Sequence, residues 1–165
     1  MFYETTLKRF NVEILNTALS IPLCDQTGKP VHNIRMHGNT IVTENILTDK
    51  YDLLYNWDWI LLKNRNYLIV TNSIFNVWWL WQIGFPYVVA ILNSNISNLT
   101  LAYLDSVTIK SGTLWVITDK SPAAIAKGAT IAGALSRIRF ARHIVLEQIV
   151  GTCHDDIQKH FNECT

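Results

Sequence analysis

The stretch SIFNVWWLWQIGFPYVVAIL, Ser73 to Leu92, is the one on which the fold turns. From Ile74 to Leu92 it carries no charge, and about 19 apolar residues is close to the minimum for a bilayer span. Lys63 and Arg65 precede it, which would put its N-terminal side inward. Against a span, Asn76, Gln82, Gly84 and Pro86 interrupt it, and its aromatics crowd the middle rather than the two interfaces. Valine, isoleucine, tryptophan and tyrosine around Gly84-Phe85-Pro86 fit two strands, Phe75 to Ile83 and Tyr87 to Leu92. Insertion through Ile74–Leu92 stands as the alternative reading.

Upstream, YDLLYNWDWILLKNRNYLIVTN (Tyr51 to Asn72) carries two apolar runs joined by Lys63-Asn64-Arg65-Asn66. The pattern predicts a hairpin of Trp57–Leu62 and Tyr67–Thr71. Its first strand is apolar on nearly both faces, which suits the inside of a sandwich or barrel, or an interface. Downstream, strands are expected at Leu99–Leu104, Val107–Ile109 and Thr113–Thr118, with another near Thr40–Thr43. Asn95-Ile96-Ser97 and Asn98-Leu99-Thr100 match the glycosylation pattern but read more simply as turns. The resulting strand density suggests a small barrel or sandwich.

At Asp119 the composition changes. Ser121 fits an N-cap and Pro122 the first helical position. An alanine-rich helix is expected from Pro122 to about Val150, then a break at Gly151 and a short helix from about His154. Its small residues suit close helix packing, or lipid packing as an alternative. The N-terminal run TLKRFNVEILNTAL reads either as a helix (Leu7, Phe10, Ile14, Ala18) or as a strand (Phe10, Val12, Ile14). The fold class expected is therefore α+β: a β-rich barrel or sandwich over residues 1–118, with a mixed N-terminal segment, and a helical arm over 119–165.

Composition narrows the function. The chain has 165 residues, a net charge of +1, 16% charged and 49% hydrophobic residues, and six tryptophans. Ordinary soluble domains are about 25% charged, so this surface is expected to be hidden against partners or lipid, or to belong to a poorly soluble monomer. A near-zero charge balance argues against general nucleic-acid binding. Three cysteines make no disulfide framework. The start MFYETTLKRFNVEILN lacks the plan of a signal peptide.

Chemistry-bearing patterns are incomplete. Cys153, His154, His160 and Cys164 have poor zinc spacing, and on a helix Cys153, Ile157, His160 and Cys164 form one packing face instead. His32 and His37 flank Arg35 without a completing group. Asp155-Asp156 suit the first turn of a helix, and Asp52 and Asp58 lack partners for hydrolysis. Gly28-Lys29-Pro30 lacks the rest of a phosphate loop. Arg137, Arg139 and Arg142, with His143, form a cluster that could meet an anion or a partner. The expectation is a non-enzyme without metal or cofactor.

DWILLKNRNYLIVTN, Asp58 to Asn72, resembles a hairpin of tailed-bacteriophage connector, tail and baseplate proteins, through Asp58, Ile60, Asn64, Tyr67, Ile69 and Thr71. The glycine usual before the aspartate is Trp57 here. The resemblance implies a small β-barrel subunit of a virion neck, tail or baseplate, assembled in the host cytoplasm. Its partners would be copies of itself and neighbouring subunits, through Trp57, Trp59, Trp78, Trp79, Trp81, Phe85 and Tyr87. A membrane location is the alternative.

Overall fold

The computed structural model describes residues 1–25, 27–37, 40–42, 54–58, 62–92 and 96–163. Helix α1 (Glu4–Arg9) leads into a four-stranded antiparallel sheet, β1 (Glu13–Leu15), β2 (Ala18–Cys24), β3 (Pro30–His37) and β4 (Thr40–Val42), in that spatial order. The β2–β3 reversal is built by Asp25, whose Oδ1 accepts from the amides of Thr27 (2.8 Å) and Lys29 (3.2 Å), and by Gly28 at φ +80°.

The second sheet has the order β5-β7-β6-β8-β9. It comprises β5 (Leu54–Tyr55), β6 (Arg65–Thr71), β7 (Val88–Ile91), β8 (Thr108–Asp119) and β9 (Ala141–Leu146). β7, β6, β8 and β9 run parallel, and β5 is the antiparallel edge. Helices α2 (Ile74–Gln82), α3 (Asn98–Val107) and α4 (Pro122–Leu135) make the crossovers, and α5 (His154–Glu163) follows β9.

This α/β architecture replaces the expected barrel-plus-helix. The central strand β6 has β7 on one side and β8 on the other, so no flank remains for a hairpin partner from Trp57–Leu62. Leu62 instead donates its amide to the Asp58 carbonyl at 3.1 Å, an i to i−4 bond; residues 59–61 lie outside the described set. The opening stretch is helix then strand, not two strands. Gly84 (φ +103°) ends α2 in a Schellman arrangement, with Gly84 N bonded to Trp81 O at 3.1 Å and Phe85 N to Leu80 O at 2.9 Å. Pro86 follows, where helices cannot continue.

Likewise Leu99–Leu104 is helical, because Ser97 caps α3 by accepting from Thr100 N at 3.2 Å. Val107 closes that helix, and Thr108–Asp119 is one continuous strand. The Ala-rich helix begins at Pro122 but stops at Leu135, and β9 takes Ala141–Leu146. Among the described residues no helix is long and apolar enough to cross a membrane.

Strands apolar on both faces have an internal explanation. On one face Ile69, Trp115 and Ile117 pack with Trp78 of α2, Phe161 of α5 and Ile21 and Ile34 of the first sheet. On the other, Leu68, Val70, Leu114 and Val116 pack with Leu104 of α3 and with Ile131 and Leu135 of α4. A parallel sheet covered on both sides needs apolar residues on both.

Candidate functional site at the carboxyl ends of β6 and β8

The connection leaving β6 turns towards β7, and the one leaving β8 turns towards β9. In open parallel sheets the crevice where successive connections diverge is where ligands bind, which here lies between the carboxyl ends of β6 and β8. β6 runs into Thr71-Asn72-Ser73 and then α2; β8 runs into Asp119-Lys120-Ser121 and then α4.

Buried Asn76 shapes the first turn. Its Nδ2 donates to Thr71 Oγ1 at 3.1 Å and stands 3.4 Å from Asn72 Oδ1. Ser73 precedes α2 in an extended conformation and its side chain caps no amide. In the second turn Ser121 Oγ accepts from Ala124 N at 3.3 Å. Asp119, half-buried, accepts through Oδ1 from Ile149 N at 2.7 Å and so ties the end of β8 to the loop after β9. Lys120 reaches Glu147 at 2.5 Å, but both are exposed, and such a pair is worth little and opens readily.

A groove of ≈ 700 Å³ runs from Lys120, just past the end of β8, along the end of β9 and over α5, lined among others by Glu147, Gln148, Asp156, Lys159, His160 and Glu163. Its far wall is anchored: Trp79 Nε1 donates to Thr152 O at 2.9 Å, His154 stacks on Phe85 (centroids 4.6 Å) and Phe161 on Trp115 (4.4 Å).

A strand-end crevice can hold two divalent cations as a clamp on phosphoryl oxygens, and magnesium is held by oxygen ligands, carboxylates foremost. The donors here do not fit such a pair. Asp119 is the carboxylate at the end of β8, with one oxygen engaged by Ile149 N. Glu147 faces Lys120, and Asp156 accepts from Cys153 Sγ at 3.0 Å. The end of β6 offers amides and hydroxyls. Among the described residues no three His, Cys, Asp or Glu side chains gather as metal ligands.

A smaller cavity of ≈ 90 Å³ lies between the two sheets, near Arg9, Asn11, Cys24, Tyr55 and Asp58. It is well below the few hundred Å³ of an ordinary ligand pocket. Burial, then the nearby carboxylates of Asp25 and Asp58, push the Cys24 thiol up.

The residues singled out from the sequence lie elsewhere. Trp78 is fully buried and donates to Tyr55 Oη at 2.8 Å; Trp57 is buried and donates to Cys24 O at 2.6 Å. Phe85 is buried, while Trp79, Trp81 and Tyr87 are half-buried, Tyr87 under the Arg65 guanidinium at 4.4 Å. Trp59, Asp52 and Cys164 lie outside the described residues. Arg139 is locked to Asp105 at 2.5 Å, Arg142 lies over Phe140 at 4.8 Å, and Arg137 is exposed. His32 and His37 are exposed on β3; Cys153 precedes α5, His154 stacks on Phe85 and His160 lines the groove, and among the described residues they do not gather as metal ligands. Asn72, Asn76, Asp119 and Lys120 were not anticipated. The signal for them is an apolar run ending in Thr-Asn-Ser and again in Thr-Asp-Lys-Ser-Pro, each a strand entering a helix.

No protein-family model matches the chain, and no curated protein matches it. Solved structures do. A structure described as the DnaG catalytic core aligns over 96% of this chain and 65% of its own, with a TM-score of 0.70 and 17% identity. A DnaG primase catalytic domain bound to ssDNA aligns over 95% and 60%, at 0.62 and 18%. One chain of a complex in which bacteriophage T7 lagging-strand DNA polymerase interacts with primase domains of two gp4 subunits, bound to an RNA/DNA hybrid and dTTP, aligns over 99% and 85%, at 0.66 and 14%. The chain thus spans about two thirds or less of the DnaG domains it resembles. At these identities the likeness is one of fold.

These matches overturn the resemblance to phage tail, connector and baseplate proteins, and with it the virion structural role and the virion or membrane location. Strand β6, expected as the second arm of the hairpin that carried that resemblance, pairs with β7 and β8 instead. The expectation of a non-enzyme is corrected as well, since the shared fold is that of catalytic cores. Nucleic-acid contact, against which the charge balance argued, is present in solved structures of this fold, one bound to ssDNA and one to an RNA/DNA hybrid.

Proposed function

We propose that the chain acts in the priming of DNA replication, as a primase-type domain that holds single-stranded nucleic acid along the cleft at the carboxyl ends of β6 and β8. The supporting observation is the shared fold with the DnaG catalytic core over 96% of the chain. That coverage takes in both sheets.

The chemistry of the cleft suits a polynucleotide backbone. Lys120 and Lys159 can turn from their carboxylate partners to phosphates at little cost, both being largely exposed. The Asn72 amide and the Ser73 and Ser121 hydroxyls supply neutral contacts beside them. With a net charge of +1, affinity should be modest and strongly salt-dependent.

Fluorescence anisotropy with a labelled single-stranded oligonucleotide tests this. Saturable binding at low salt that weakens as salt rises is expected. Anisotropy that stays flat at low salt across the whole protein titration removes the reading.

A further inference from the structure

We infer that the strand-end cleft does not hold a pair of divalent cations, and that the nucleic acid it takes is bound there without them. The inference rests on the proposed nucleic-acid role only for its second half.

Three observations carry it. A cation clamp requires several carboxylate oxygens converging from neighbouring strand ends, whereas the end of β6 presents Thr71, Asn72 and Ser73, and Asn76 behind them. Amide and hydroxyl oxygens bring no charge to offset the dehydration of a magnesium ion. Next, Asp119 is already used in the fold, its Oδ1 fixed by the Ile149 amide at 2.7 Å. Finally, the carboxylates of the adjoining groove are each engaged elsewhere: Glu147 by Lys120, Glu163 by Lys159 and Asp156 by Cys153 Sγ. With Asp119 tied to a backbone amide and the groove carboxylates held by separate partners, no set of oxygens converges on a cation pair among the described residues.

Mn2+ is the probe. The full chain is titrated with Mn2+ alone and the free-ion signal followed by electron paramagnetic resonance, for the natural protein and for Asp119→Asn. The asparagine keeps an oxygen for the Ile149 amide, so the fold is retained. No bound Mn2+, or binding that Asp119→Asn leaves unchanged, supports the inference. Bound Mn2+ that Asp119→Asn releases overturns it. In a parallel arm, oligonucleotide affinity is expected to change less than about 2-fold when Mg2+ is exchanged for EDTA at matched ionic strength. Binding that requires Mg2+ overturns the inference. An oligonucleotide bound in neither condition ends the proposed function, and the Mn2+ titration then decides the cation question by itself.

Discussion

Thr118 Oγ1 and His143 Nε2 lie 2.7 Å apart, joining β8 to β9 on the face that α4 covers. Burial holds the His143 imidazole below its ordinary value near 6.5, so the folded protein prefers it neutral. The unfolded chain takes up the proton first as pH falls. Stability is therefore full above the ordinary histidine range, declines as pH drops through about 6.5, and levels off below the folded pKa. Urea midpoints at neutral and mildly acidic pH should show this decline, and His143→Gln should reduce it. A pH difference of equal size in the variant would place its origin in other groups.

Gly128 of α4 sits directly over that contact. A Cβ there would fall 2.4 Å from His143 Nε2 and 2.6 Å from Thr118 Cγ2. Gly128 is not in a left-handed conformation, so the cost of Gly128→Ala comes from overpacking, roughly 1–3 kcal/mol. The expected readout is a lower urea midpoint with an unchanged slope. Gly133, with nothing near its absent Cβ, is the control: alanine there should be neutral or slightly stabilising.

Gly84 tests the turn that separates α2 from β7. At φ +103° an L side chain is strained whatever space surrounds it, and Gly84→Ala should cost about 1–2 kcal/mol. Thermal or urea melts read that cost directly. A neutral result would mean that the Schellman end of α2 is not held in solution.

How much of this was legible follows from the same residues. Gly84 and Pro86 were noticed as interruptions, yet they are helix-stop signals; the β-propensity of Trp78, Trp79 and Trp81 outweighed them because tryptophan fits either a strand or a buried helix face. Ser121-Pro122 marked a helix start correctly, since an N-cap is purely local. The end of that helix at Leu135 was hidden, because Ile138, Ala141, Val145 and Ile149 keep a helical spacing while Ala141–Leu146 pairs with β8. The cleft was hidden more deeply. β6 and β8 are neighbours only because β7 crosses to the far side of β6, and no local pattern states that Asn72 and Asp119 end adjacent strands.

Arg139 looked like a candidate anion contact and is a structural anchor. Its Nη2 bonds Asp105 Oδ1 at 2.5 Å and Asp105 O at 2.9 Å, its Nη1 bonds the Ile109 carbonyl, and its side chain is 8% exposed. Arg139→Met should destabilise by roughly 1–3 kcal/mol, less than the 3–5 of a fully buried pair because Asp105 keeps access to water. Oligonucleotide affinity should not move among folded molecules, since the contact lies at the opposite end of β8 from the cleft.

Lys120 and Lys159 are expected to behave in the opposite way. Both are exposed and paired only with exposed carboxylates, so Lys120→Gln and Lys159→Gln should leave the melting curve within about 0.5 kcal/mol. If each meets one phosphate of a single strand, the slope of log affinity against log salt should flatten by about 0.7 per substitution. The double variant should then lose both increments, roughly additively, with no dependence on base sequence. An unchanged slope in the double variant would move the nucleic-acid path away from the α5 wall of the groove. The Asn72 side of the cleft would then be the surface to substitute next.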